Sequence, residues 1–172
     1  MKSMSLTIIS ALFIGALLPV TQAAGQQPAI TVIQNGSQYP MQGLGAFFEG
    51  PVRVEPLFSA QENNRAAGAT VTFEPGSRTN WHTHPSGQTL IVTSGMGWVQ
   101  QWHAQKQVIR PGDVIYIPAN VKHWHGATAK TAMVHIAIQE AKEGKVVNWM
   151  EPVSDQQYLQ IQDPVSEQAS EQ

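Results

Sequence analysis

The 172-residue chain has no cysteine. That excludes a disulfide framework and the thiol to which a lipoprotein anchor is attached. Charge is also scarce. Charged residues make up 13% of the chain and the net charge is −2, so there is no basic footprint for nucleic acid and none is expected as a partner. No convincing amphipathic helix occurs before the C-terminal region, and no internal repeat is visible beyond two related histidine segments. Glycine (14) and proline (11) are plentiful, a balance that favours many short strands joined by turns over long surface helices. The length suits one domain with a core of its own. Without crosslinks, its stability has to come mainly from packing.

The N-terminus carries a basic start (Met1-Lys2), an apolar run from Leu6 to Val20, and then Thr21-Gln22-Ala23-Ala24-Gly25. This pattern reads as a secretory signal peptide over residues 1–23, cleaved after Ala23 or Ala24. A membrane anchor is the competing reading. However, the run is short against the ~20 residues a span needs, and Ser10, Gly15 and Pro19 interrupt it. The mature protein is expected to be exported, most simply to a bacterial periplasm, with no stable membrane insertion after cleavage. Residues 24–47 read as an extended arm with an alternating apolar segment (Ile30, Val32), and residues 159–172 as a flexible polar tail.

Between arm and tail the pattern is strand, turn, strand. Apolar segments at 52–58, 67–73, 88–93, 98–102, 108–110, 114–117 and 132–139 are separated by Glu74-Pro75-Gly76, Ser94-Gly95, Ala104-Gln105, Pro111-Gly112 and Pro118-Ala119-Asn120. Turn signals every eight to twelve residues predict an all-β sandwich or barrel. One short helical turn is expected within 148–158, with Ser154 as N-cap and Asp155 in the first turn.

Chemistry concentrates in Trp81-His82-Thr83-His84-Pro85-Ser86-Gly87-Gln88 and in His123-Trp124-His125. Two histidines at i and i+2 on a strand project from the same face. The Pro-Ser-Gly turn lets Gln88 bring an amide oxygen to the same point, and His123 can reach it from the second segment. Three imidazoles and one side-chain oxygen suit a borderline divalent first-row metal.

These residues carry a family resemblance. Gly76, five residues, His82-x-His84, three residues, Gln88, six residues and Gly95 resembles the first motif of the cupin superfamily, with Gln88 where most cupins place Glu. Gly112, five residues, Pro118-x-Asn120, two residues and His123 resembles the second motif, with Asn120 and Ala127 where the pattern has Gly and Asn. The resemblance implies an all-β, single-domain cupin over residues 48–158, a double-stranded β-helix or jelly-roll barrel holding a metal inside. Segments 68–76, 82–85, 87–93, 122–127, 131–140 and 149–151 are similar to the bacterial cupin hydroxynitrile lyases. Those are manganese-containing (R)-mandelonitrile lyases, which reversibly cleave an aromatic cyanohydrin into aldehyde and hydrogen cyanide.

Carried over position by position, the resemblance makes His82, His84, Gln88 and His123 the metal ligands. Mn²⁺ is the expected ion, with Fe, Ni, Co and Zn as alternatives. A neutral amide in place of a carboxylate leaves the ion's charge less compensated and makes it a stronger Lewis acid. Four protein ligands on an ion that takes six leave room for substrate. His135 is the candidate general base, because His135, Ala137 and Gln139 share one strand face while Val134, Ile136 and Ile138 share the other. His125 shares the inward face of His123. Ala69, Val71 and Thr79 match positions that line the pocket of the similar lyases. With His125 and Gln139 they complete the expected substrate-binding set. His103 reads as a solvated loop residue, and Trp98, Trp102, Trp124 and Trp149 read as core or subunit contacts.

The leading expectation is thus a carbon–carbon lyase acting on a small-molecule cyanohydrin. A metal-dependent cupin dioxygenase and a non-catalytic small-ligand-binding cupin are the alternatives. A homodimer or homotetramer is expected, with residues 29–33 offering an extra strand.

Overall fold

The computed structural model of the protein describes residues 29–61 and 63–160. The expected signal peptide and nearly all of the expected tail lie outside the described residues. A compact unit begins at Ile33. Residues 29–32, which precede it, are exposed and belong to no strand.

The chain forms strands in quick succession. They are β1 (Met41–Gln42), β2 (Phe48–Glu49), β3 (Val52–Phe58), β4 (Ala66–Phe73), β5 (Arg78–Thr79), β6 (His82–Thr83) and β7 (Gln88–Gly95). There follow β8 (Gly97–Gln101), β9 (Gln107–Ile109), β10 (Val114–Ile117), β11 (His123–Ala127), β12 (Met133–Glu140) and β13 (Asn148–Trp149), and a short helix α1 (Asp155–Leu159) closes the chain. One sheet runs β1-β3-β4-β12-β7-β10. The other runs β13-β6-β11-β5-β2, with β8 on β11 and β9 on β8. Every pairing is antiparallel. This is the expected all-β architecture, in two antiparallel sheets. Residues 41–42 of the expected arm pair with β3 as β1.

Period-two burial shows how each strand faces the interior. On β12, Met133, His135 and Ala137 are buried, while Val134, Ile136 and Ile138 between them are only half-buried. The core beneath gathers Val52, Val71, Phe73, Val92, Val99, Ile109 and Met133. Two glycines are fixed by geometry. Gly95 has φ +74°, and a Cβ there would collide with the carbonyl of Ala132, so the β7–β8 turn tolerates no side chain. Gly87 has φ +81°, and its Cβ would meet Ile117 O at 2.7 Å, which keeps the turn between His84 and Gln88 tight. A register shift between Val134 and His135 in the β12–β7 ladder is a bulge of the kind that re-aims neighbouring side chains.

The second sheet is covered from outside by the C-terminal segment, so all five residues of β11 are buried. Trp124 packs there with Trp81, Val153 and Tyr158. Arg78 donates to Val153 O at 3.0 and 2.8 Å and to Asp155 at 2.8 Å, with its guanidinium 4.6 Å from the Tyr158 ring centre. Tyr158 Oη donates to Ala127 O at 2.8 Å. Ser154 caps α1 as expected, in a capping box with Gln157.

Candidate active site

The first histidine segment leaves the strand early. β6 stops at Thr83, and His84 lies beyond it, followed by Pro85, which has no N–H for a ladder. His82 nevertheless pairs directly opposite His123 of β11, and Gln88 opens β7 after the Gly87 turn. Ring centres of His82 and His123 are 4.1 Å apart, those of His82 and His84 5.1 Å, and those of His84 and His123 5.6 Å. All four residues are buried. The structure therefore brings His82, His84, Gln88 and His123 together.

Hydrogen bonds fix which nitrogens are available. Nδ1 of His82 donates to Asn80 O at 2.9 Å, that of His84 to Val146 O at 2.6 Å, and that of His123 to Val121 O at 2.9 Å. A neutral imidazole that donates through Nδ1 holds a lone pair on Nε2, and such backbone partners orient metal-binding histidines. Among the described residues, Nε2 of His84, Nε2 of His123 and Oε1 of Gln88 are buried with no hydrogen-bond partner. Buried polar atoms rarely stay unpaired, and three acceptors left unpaired side by side are what a cation would satisfy. The donor set fits a divalent metal.

Distance alone groups the histidines differently. The ligand atoms of His82, His123 and His125 lie within 4.8 Å of one another. His125 differs in its bonding, since its Nδ1 faces Nε2 of His135 at 3.3 Å instead of a carbonyl. It thus belongs by proximity to the cluster and by hydrogen bonding to His135.

Burial holds these rings neutral. His82 and His125 fall well below the ordinary imidazole value, through desolvation first and the neighbouring histidines second. Desolvation also lowers His84, and it takes His123 and His135 down to about 4. Each can offer a lone pair at neutral pH without first releasing a proton. For His135 this value lies well below the near-neutral range in which a general base works best. It is ready to accept a proton but is a weak base, because no fixed anion among the described residues offsets its desolvation.

The cavity beside the cluster has a volume of about 140 Å³. That matches the ~150 Å³ of apolar space known to admit benzene, so one aromatic ring fits. Ala69, Val71, Thr79, His125 and Gln139, the expected substrate-binding set, all line it, with His82, His84, Gln88 and His135. Ala69 and Val71 stand opposite Ala137 and His135 on the β4–β12 ladder. Thr79 Oγ1 accepts from the His125 backbone N–H at 3.2 Å.

Phe48, Val146, Val147 and Trp149 also line the cavity and were missed by reading motifs. Trp149, expected as a core or subunit contact, pairs with His82 on the β13–β6 ladder. Its ring stacks on Phe47 at 4.9 Å and meets Phe48 edge-on at 5.6 Å. The available signal was local, since Trp149-Met150-Glu151 is one of the segments that resemble the lyases. His103 is exposed in its loop with φ 62°.

Comparison with known proteins bears on this geometry. A family model described as the cupin domain matches residues 69–138. The (R)-mandelonitrile lyase of Granulicella tundricola is 55% identical over 123 residues, which is 72% of this chain and 94% of that protein. The chain belongs to the cupin family. The crystal structure of a cupin-like protein from Thermotoga maritima is 37% identical to this cupin, with a TM-score of 0.63 over 75% of this chain and 95% of that one. A cupin-2 domain protein from Rhodospirillum rubrum shares the fold at 17% identity and a TM-score of 0.58, covering 72% of this chain and 82% of that one.

Proposed function

We propose that this cupin is a metal-dependent hydroxynitrile lyase that cleaves and forms an aromatic cyanohydrin of the mandelonitrile type. The observation that carries the reading is the placement of buried, neutral His135 on the lining of a ring-sized cavity that His82, His84 and Gln88 also line. The 55% identity to an (R)-mandelonitrile lyase supports the substrate class.

His82, His84, Gln88 and His123 would hold the metal, which we assign as Mn²⁺ on the resemblance and the mixed nitrogen and oxygen donor set. When bound, such an ion supplies Lewis acidity toward an anionic oxygen. The protein's own groups do the rest. Phe48 and Trp149 provide an aromatic wall for the ring of the substrate, and the small side chains of Ala69 and Val71 leave it room. His135 accepts the hydroxyl proton. The O–H electron pair becomes the second bond of the carbonyl, and the carbon–carbon pair leaves with cyanide. The proton then passes from His135 to cyanide, giving aldehyde and HCN and restoring the neutral imidazole. An anion beside the imidazolium raises its pKa, so the charged state is favoured when cyanide is present.

We also propose that the protein acts after export, supported by the signal-like residues 1–23. A homo-oligomeric state is proposed on the apolar surface left exposed at the edge strand β10, where Val114 and Tyr116 are 65% and 72% accessible. The function is tested by purifying protein without added metal, measuring its metal content, and following mandelonitrile cleavage with and without oxygen. Cyanide release without oxygen uptake is expected. Oxygen consumption without cyanide would overturn the lyase reading in favour of a dioxygenase.

A further inference from the structure

A carboxamide has two ends of nearly equal shape and opposite chemistry. Its oxygen accepts and can ligate, whereas its NH₂ donates and cannot. Gln88 is useful to the site only when its oxygen faces the histidines. We propose that Gln139 is a positioning residue that holds the Gln88 amide in this orientation. The proposal rests on the reading of the site as a metal centre.

Gln88 and Gln139 are direct partners on the β12–β7 ladder, so their side chains stand side by side on the inner face. Gln88 Nε2 donates to Gln139 Oε1 at 3.3 Å, while Gln88 Oε1 is buried without a partner, as are Nε2 of His84 and of His123. Gln88 is 6% exposed, so little water reaches it to replace a lost bond. Turned over, Gln88 would point two N–H groups at the cluster and set its oxygen against the oxygen of Gln139. With Gln139 in the orientation seen, its Oε1 stabilises the ligating rotamer from behind. A carboxylate at position 88 would need no such control, because both of its ends can ligate. The departure of Gln88 from the more common cupin glutamate is what creates a task for Gln139.

A double-mutant cycle in the full-length protein tests this, with Mn²⁺ as the probe and the free-ion EPR signal as the readout on metal-stripped samples. Gln139→Met, which keeps the length but has no strong acceptor, should weaken Mn²⁺ binding about tenfold, as outer-shell substitutions do. Gln139→Glu, an acceptor in every orientation, should bind at least as tightly as wild type. In a Gln88→Glu background the same Gln139→Met change should alter affinity by less than about threefold. Thermal melts of all variants check that each is folded. Equal losses in both backgrounds would mean that Gln139 acts only through packing, and Gln139→Met binding like wild type would mean that it does not act at all. Either result overturns the proposal while leaving the metal centre standing. A wild-type protein that binds no Mn²⁺ would overturn both.

Discussion

Replacing His135 with glutamine removes the proposed proton acceptor while keeping a polar side chain of comparable reach beside His125. His135 is fully buried and, among the described residues, its one side-chain hydrogen-bond partner is His125 Nδ1 at 3.3 Å. Glutamine can replace that contact, so the fold and the cluster should survive. A positioned base contributes 10²–10⁴-fold. Desolvation takes His135 down to about 4, far from the near-neutral value at which such a base works best, so the lower part of that range applies. The expected loss is about 10²–10³-fold in kcat, or roughly 3–4 kcal/mol of barrier. It should fall on kcat more than on KM, because a base acts on the proton in flight.

The assay is steady-state cyanide release from mandelonitrile, with metal content and melting temperature measured on the same preparation. His103→Asn is the matched control, since His103 is exposed at φ 62°, a backbone state asparagine accepts. It should behave as wild type. His135→Gln with full turnover and full metal would refute the assignment and pass the role to His125, the other imidazole of the pair. A parallel loss of metal and activity would refute it differently, by making His135 a support for the cluster.

His82→Ala or His123→Ala should lower metal content and melting temperature together, because binding to the folded state alone is linked to stability; inductively coupled plasma analysis beside a thermal melt reads both, and unchanged occupancy in the double variant would remove the ligand assignment. Metal-stripped protein should lose stability in acid. An unfolded imidazole titrates near 6.5 and His135 near 4, so between those values the unfolded chain takes up a proton that the folded chain refuses. That contribution is complete above about pH 6.5 and is lost as pH falls toward 4. For His135 it is about 3 kcal/mol, and urea unfolding of wild type against His135→Gln should show the variant's pH dependence flatter by that amount. Trp149→Ala should raise KM for mandelonitrile several-fold and cost about 3 kcal/mol of stability, since the ring both lines the cavity and stacks on Phe47; a normal KM would take Trp149 out of the substrate wall.

The parts of this cupin that sequence made legible are those where one residue type has one physical use. Glycine marks the turns because few other residues adopt φ near +80° without strain, as at Gly87 and Gly95, and proline marks them because it has no N–H for a ladder. Alternation on β12 placed His135, Ala137 and Gln139 on the inner face, and the burial pattern agrees for the first two. The histidine segments were visible because imidazoles at i and i+2 are rare without a shared target. Two things were not legible. The pKa of His135 depends on how completely other strands enclose it, and that enclosure is assembled from β4, β7 and β11, far apart in sequence. The orientation of each imidazole depends on carbonyls at Asn80, Val121 and Val146, and a carbonyl has no sequence signature.

Trp149 shows why the missing part matters for specificity. The cupin match spans residues 69–138 and holds every proposed metal ligand and His135. The aromatic wall comes from outside it, Phe48 on one side and Trp149 on the other. Val146, whose carbonyl orients His84, lies outside it too. A barrel that only needed to hold an ion could dispense with these flanks. Here the segment after β12 contributes both a cavity wall and a hydrogen bond to the cluster, so a change in it alters ring recognition and His84 orientation together. On the proposed function, substitutions in residues 146–149 should move KM and metal affinity in the same variant.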